Sequence, residues 1–195
     1  MTLDLMGKAA KSAAHKLSVA TTEQKNKALL AIANALRDNT DKIITANEKD
    51  IANARDNGIS DTMVDRLRLT KDRIFDIAKS VEQVVNLADP VGRVIDGYTR
   101  PNGLKISKIT VPIGAIGIIF ESRPNVTVDA AVLCLKSGNA TILRGGKEAI
   151  NSNIALADIM RDAIKSAGLD ENCVQLISDT SRQTATELMR LNKYL

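Results

Sequence analysis

The sequence predicts an α/β protein: a helical first part, a β-hairpin, then a parallel sheet. Three observations carry this. Residues 1–88 repeat apolar positions at helical spacing, residues 89–111 are rich in β-branched residues and turn dipeptides, and residues 112–195 alternate short apolar runs with amphipathic stretches. Strand–helix alternation at that spacing implies parallel strands joined by right-handed crossovers.

In the first part, Thr21 followed by Gln24 has the form of a capping box. Leu29, Ile32, Ala33 and Leu36 then make one apolar face at i, i+3, i+4 and i+7. A helix over residues 41–54 stops at Asn57-Gly58, a helix-ending pair, and further helices fit residues 61–67 and 71–87. Nothing in residues 1–88 points to catalysis, so packing is the expected role. Asp89-Pro90 breaks the helical run. Asp96-Gly97 and Asn102-Gly103 then punctuate strand-like residues, and Asn-Gly between two such runs signals a hairpin. That hairpin reads either as an ordinary surface feature or as a subunit contact made through edge pairing.

The next strand is expected over residues 113–120, covered on both faces, followed by a helix over residues 126–136 that ends at Ser137-Gly138-Asn139. A buried strand over residues 140–143, a helix over residues 148–167 closed by Gly168, and a third strand over residues 173–177 complete the alternation. Thr180 with Gln183 is the expected cap of a last helix over residues 181–191.

With 195 residues, 44% hydrophobic and 26% charged, the chain can bury a core and has an ordinary globular composition. Its net charge of +4 is spread along the sequence. That balance suits an anionic small molecule, nucleic acid or a plain solvated surface alike. An aromatic content of 2% argues against base stacking, and no nucleic-acid partner is expected. Cys134 and Cys173 lack disulfide or zinc spacing, and a single histidine, His15, leaves no His-rich metal site. No apolar leader core or membrane-length apolar run is present, so a cytoplasmic protein without membrane contact is expected.

Polar groups gather where the predicted strands end, which is where open α/β sheets bind nucleotides. In Arg144-Gly145-Gly146-Lys147-Glu148, the glycines allow close backbone approach, Arg144 and Lys147 suit phosphate, and Glu148 suits ribose hydroxyls. The same residues also make a tight strand–helix turn with solvated charges. Gly114-x-x-Gly117 lacks the third glycine of the dinucleotide fingerprint. Glu121-Ser122-Arg123-Pro124-Asn125 opens a helix, where an Arg and an amide suit an anion or a developing oxyanion, or Asn125 simply caps. Cys134, among Val132, Leu133 and Leu135, and Cys173, at a strand start, read as small core residues rather than nucleophiles.

Residues 111–149 (VPIGAIGIIFESRPNVTVDAAVLCLKSGNATILRGGKEA), 65–74 (DRLRLTKDRI) and 175–192 (QLISDTSRQTATELMRLN) together resemble the gamma-glutamyl phosphate reductases, or glutamate-5-semialdehyde dehydrogenases, of the aldehyde dehydrogenase superfamily. The resemblance spans nearly the whole chain and about the first half of the family's usual length. It implies an aldehyde dehydrogenase-like fold. Residues 1–88 would be a helical segment, 89–111 an oligomerisation β-hairpin, and 112–195 an incomplete Rossmann-like NADPH-binding region, with the catalytic domain absent. The implied activity is NADPH-dependent reduction of L-glutamate 5-phosphate to L-glutamate 5-semialdehyde with phosphate release, in proline biosynthesis. A homo-oligomer and association with glutamate 5-kinase are the implied partners.

In the superfamily a Lys-x-x-Glu stretch holds the adenosine ribose. Here Arg144 stands in place of that Lys, followed by Gly145, Gly146, Lys147 and Glu148, and the added positive charge suits the 2′-phosphate of NADPH. Where the superfamily has Pro-Trp-Asn, this chain has Glu-Ser-Arg-Pro-Asn. Asn125 is the candidate for the oxyanion hole, with Ser122 and Arg123 as substrate-binding residues and Arg123 set against the acyl-phosphate anion. The family's nucleophilic Cys lies further along than residue 195, so this chain alone is expected to be inactive. The alternative is a truncated nucleotide-binding or subunit-interaction module. An exposed sheet edge is also expected to favour association.

Overall fold

The computed structural model describes residues 2–195. Five helices come first: α1 (Leu3–Leu17), α2 (Thr22–Asp38), α3 (Thr40–Asp56), α4 (Asp61–Leu67) and α5 (Lys71–Asn86). The capping box at α2 forms in both directions: Thr21 N–H donates to Gln24 Oε1 at 2.9 Å and Gln24 N–H donates to Thr21 Oγ1 at 3.2 Å. Thr2 and Thr70 cap α1 and α5 in one direction only, their hydroxyls accepting the N–H of Leu5 and Arg73. Gly58, at φ +68°, turns the chain out of α3 in a conformation that L side chains rarely adopt.

The hairpin pairs β1 (Val94–Thr99) antiparallel with β2 (Lys105–Ile109), and Asn102-Gly103 lies in its turn. Asp96-Gly97 is not a turn. Both residues sit inside β1, beside a register shift between Val94 and Asp96, and such irregularities favour glycine. Every residue of both strands is exposed.

β3 (Ala115–Ile119), β4 (Ala140–Arg144) and β5 (Val174–Leu176) form a parallel sheet in that order. The crossovers are α6 (Pro124–Lys136) and α7 (Ile150–Ser166), and α8 (Arg182–Met189) follows β5. α6 and α7 pack together on one face, while α1 reaches all three strands. Helices α2, α3 and α5 add a further layer against α6 and α7. Leu17, Leu29, Ile32, Leu135, Ile142 and Leu156 fill the resulting core.

Three expectations are corrected by this arrangement. β3 is not covered on both faces: it lies at the edge of the sheet, and Ile119 is 44% exposed. Cys173 belongs to a 3₁₀ turn, Glu171–Cys173, rather than to β5. Ser181, not Thr180, caps α8, because the Asp179 carboxylate accepts the Ser181 N–H at 2.8 Å and the Thr184 hydroxyl at 2.6 Å.

Buried polar groups tie the layers together. The Asp50 carboxylate accepts four hydrogen bonds from the start of α7: Asn151 N–H (3.1 Å), Asn151 Nδ2 (2.8 Å), Ser152 N–H (2.7 Å) and Ser152 Oγ (2.6 Å). One turn earlier, Asn47 donates to Ser152 Oγ at 3.0 Å and to Leu67 O at 2.8 Å, and accepts the Leu69 N–H at 2.8 Å. Helix α3 therefore caps α7 from outside and clamps the α4–α5 connection. At the entry to the hairpin, buried Lys25 reaches both oxygens of Asp89, at 2.9 and 2.6 Å.

Asp50→Ala leaves these α7 donors without their acceptor. At about 1–3 kcal/mol for each stranded buried group, a loss of at least about 3 kcal/mol is expected in urea unfolding. Asp89 generates a pH dependence. Burial alone raises its pKa, but bonds from Lys25, Thr22 and the Val91 N–H outweigh this and hold it below its ordinary value of 3.8. Its contribution is thus complete above that value and lost as pH falls through the lowered folded value. Asp89→Asn is expected to flatten the stability–pH curve in this acid range, as read by thermal melts across it.

Candidate functional site

The ends of β3 and β4 open into a cleft of about 590 Å³, lined in part by Phe120, Ser122, Arg123, Arg144, Gly146 and Glu148. Ser122 Oγ–H donates a short hydrogen bond to Glu148 Oε2. That bond crosses Gly146, where an added Cβ would collide with both Ser122 Oγ and Glu148 Oε2. Gly145 is equally confined: its Cβ would meet Asn153 Nδ2 and, at 3.1 Å, the Phe120 ring. Both glycines are therefore required by close approach, not by backbone conformation.

The predicted residues separate into two groups. Ser122, Gly146 and Glu148 converge, and Lys147 stands exposed beside them on a 3₁₀ turn, Lys147–Ala149. Arg144 also lines the cleft, but one end of its guanidinium is engaged. Its Nη2 donates to Thr180 O at 2.5 Å and to Ser181 O at 3.2 Å, so the guanidinium braces the β5–α8 loop. Its Nε is buried without a partner, as is Asn153 Nδ2 against Gly145. In many open α/β sheets the first N–H groups of the helix after such a strand hold phosphate. Here Asp50 takes those of Asn151 and Ser152. A nucleotide would have to be held through side chains instead: Lys147 has the charge for phosphate and Glu148 the acceptor for ribose hydroxyls, while the space over Gly146 is filled by Ser122 and Glu148.

Asn125 does not cap α6. The N-cap is Arg123, Pro124 occupies the first turn, and no side chain closes the helix start. Asn125 Nδ2 instead donates to Asp129 Oδ2 at 3.0 Å, one turn along. Burial raises the Asp129 pKa, with the Asn125 bond opposing it. An amide nitrogen carries two N–H groups, so Asn125 keeps a donor beyond the one Asp129 holds. Arg123 and Asn125 both line a second cleft of about 440 Å³, together with Arg66, Arg68 and Arg73.

Residues 1–88 thus also line this cleft. The α4–α5 connection brings arginines to the same place as Arg123, and the signal for them is the alternation Leu67-Arg68-Leu69. In an extended segment it sends Arg68 opposite to two buried leucines. The cysteines stay out of the site. Burial pushes the Cys134 thiol up, against a bond from Thr141, and burial with the nearby Asp170 charge pushes Cys173 up to about 12. Among the described residues no cluster of His, Cys, Asp and Glu can hold a metal ion, and no helix is long and apolar enough to cross a membrane.

The aldehyde dehydrogenase family matches residues 2–194. The chain belongs to the aldehyde dehydrogenase family. It is 53% identical over 193 residues to the gamma-glutamyl phosphate reductase of Clostridium perfringens, covering 99% of this chain and 46% of that one. It superposes on the crystal structure of gamma-glutamyl phosphate reductase from Thermotoga maritima with a TM-score of 0.96 at 45% identity, over 98% of this chain and 46% of that chain. Against the Saccharomyces cerevisiae gamma-glutamyl phosphate reductase the TM-score is 0.90 at 33% identity, over 100% of this chain and 50% of that chain. This aldehyde dehydrogenase chain therefore spans about half the length of the relatives it matches.

Neither thiol is set up as a nucleophile, and their reactivity tests this. Both cysteines are expected to react with iodoacetamide only at the rate of unfolding, and rapidly in denaturant. A fast-reacting thiol in the native chain, located by peptide mass analysis, would contradict the placement.

Proposed function

We propose that the chain is the cofactor-side part of an NADPH-dependent reductase that converts L-glutamate 5-phosphate to L-glutamate 5-semialdehyde with release of phosphate, in cytoplasmic proline biosynthesis. The observation that carries this is the meeting of Glu148 and Gly146 with Ser122 and Arg123 at the ends of two parallel strands, in a chain so similar to gamma-glutamyl phosphate reductases.

The cofactor, when bound, supplies hydride. Glu148 is suited to accept hydrogen bonds from its ribose, since Ser122 holds Oε2 and leaves Oε1 without a partner among the described residues. Lys147, exposed next to it, is suited to the 2′-phosphate. Arg123 and Asn125 face the substrate: the guanidinium toward its anion, the remaining amide N–H toward the developing oxyanion. The thiolate that attacks the acyl phosphate is assigned to sequence outside these 195 residues, because burial keeps Cys134 and Cys173 protonated. The exposed hairpin, with Val94, Ile95, Tyr98 and Ile109 uncovered, is assigned to contacts within a homo-oligomer.

Titration with both nicotinamide cofactors tests the reading. Lys147→Ala is expected to weaken NADPH by about tenfold, the worth of one charge-assisted hydrogen bond, and to leave NADH nearly unchanged. Equal losses for the two cofactors would remove Lys147 from the 2′-phosphate. The chain by itself is expected to bind NADPH without turning over glutamyl phosphate. Turnover by the pure 195-residue chain would overturn the assignment of the nucleophile.

A further inference from the structure

We propose that Arg66, Arg68 and Arg123 form a subsite for a tetrahedral phosphate dianion, and that it takes the phosphoryl group of the acyl phosphate substrate. This rests on the reading of the chain as part of an acyl-phosphate reductase and adds two residues from the helical segment to its site.

The two clefts share a wall. Arg66 and Arg123 line both; Arg68 lines only the smaller, and Gly146 and Glu148 only the larger. An anion held in the smaller cleft therefore lies next to the groups assigned to the nucleotide. The charges there are unbalanced. Arg73 is engaged at both Nη atoms, with Nη1 donating to Asp65 O at 2.6 Å and Arg68 O at 2.9 Å, and Nη2 donating to both Asp65 carboxylate oxygens at 3.1 and 3.2 Å. That neutralises Asp65 and fixes the carbonyl of Arg68. Arg66, Arg68 and Arg123 have no ion-pair partner among the described residues, and Asp76 is the remaining carboxylate on the cleft. Within the smaller cleft three guanidinium groups stand against one carboxylate, while Glu121 and Glu148 line only the larger, so the smaller cleft attracts a dianion.

The backbone that carries these arginines is also fixed. Asn47 bonds the backbone on both sides of Arg68, at Leu67 O and Leu69 N–H. Leu67 and Leu69 are buried, so the segment between them has one orientation. Arg66 is set by α4, which docks through Val64 and Leu67 onto Ile51, Ala54 and Ala149, the last residue of the turn that carries Lys147 and Glu148. Arg123 is the N-cap of α6, whose first turn lacks a capping side chain. A carboxylate offers two oxygens in one plane, whereas a phosphate dianion offers three or more oxygens around a tetrahedron and carries twice the charge, so three arginines on one cleft favour phosphate.

Calorimetric titration of the 195-residue chain with inorganic phosphate at low ionic strength tests the subsite. Arg68→Gln and Arg123→Gln are each expected to weaken phosphate by at least about tenfold, with Arg68→Lys, which keeps the charge but not the fork, recovering part of the loss. NADPH affinity is expected to stay within about twofold of wild type in all three. Unchanged phosphate affinity in both glutamine variants would overturn the proposal. So would joint loss of phosphate and NADPH, which assigns the arginines to cofactor phosphates. Should Arg68→Gln fail to fold, Arg123→Gln decides alone, because its exposed side chain makes no hydrogen bond among the described residues. The titration reads no turnover. A chain that binds phosphate this way while its longer relatives' reaction proves foreign to it would sink the reductase reading and leave the phosphate subsite standing.

Discussion

The Asp50 carboxylate at the start of α7 is the interaction on which the arrangement of this molecule depends. It is buried, it reaches across from another helix, and it holds the first turn of the helix that crosses over from β4 to β5. A helix N-terminus offers N–H groups that need an acceptor. In this chain the acceptor comes from α3, roughly a hundred residues earlier in sequence. With Asn47 and Ser152, the same network reaches the α4–α5 connection. One cluster of bonds thus registers the helical segment against the sheet and sets where Arg66 and Arg68 emerge.

This has a chemical consequence. Because a protein carboxylate holds the Asn151 and Ser152 N–H groups, recognition of an anionic ligand near β4 passes to side chains. Lys147 and the arginines around Arg123 are the cationic side chains near that strand end, and close approach at Gly146 brings Ser122 and Glu148 together beside them. Arg144, the most basic-looking feature of that turn in sequence, is instead held by carbonyls of Thr180 and Ser181. Its work is to brace the loop that starts α8. A charged residue beside a glycine pair has more than one acceptor within reach of a folded chain, and local sequence does not rank them.

Much of the secondary structure was legible because its causes are local. The Thr21–Gln24 box, the 61–67 helix, the Asn102-Gly103 turn and the strand–helix alternation after residue 112 depend on neighbours in sequence. The misreadings share a different cause. Asp96-Gly97 has the composition of a turn but lies within a paired strand, whose partner settles the matter. The apolar run at β3 has the composition of a doubly covered strand, yet it lies at the sheet edge, and order within a sheet is not a local property. Asn125 has the chemistry of a cap, but α6 already begins at Pro124, so Asn125 lies inside the first turn and its amide donates to Asp129 instead.

By itself, then, the sequence determined the α/β class, the order of elements, the family resemblance and the two strand-end turns at 121–125 and 144–148, because helix periodicity, capping and strand-end placement act over a few residues. Only the tertiary structure decided which charges are available to a ligand. Arg144, Arg73 and the start of α7 are taken up by partners distant in sequence or in a neighbouring turn, while Arg66 and Arg68 are delivered beside Arg123 from a segment that reads as packing. The physical reason is that hydrogen-bond and ion-pair partners are assigned by proximity in space, and proximity between α3, α4 and the sheet exists only once the layers have packed.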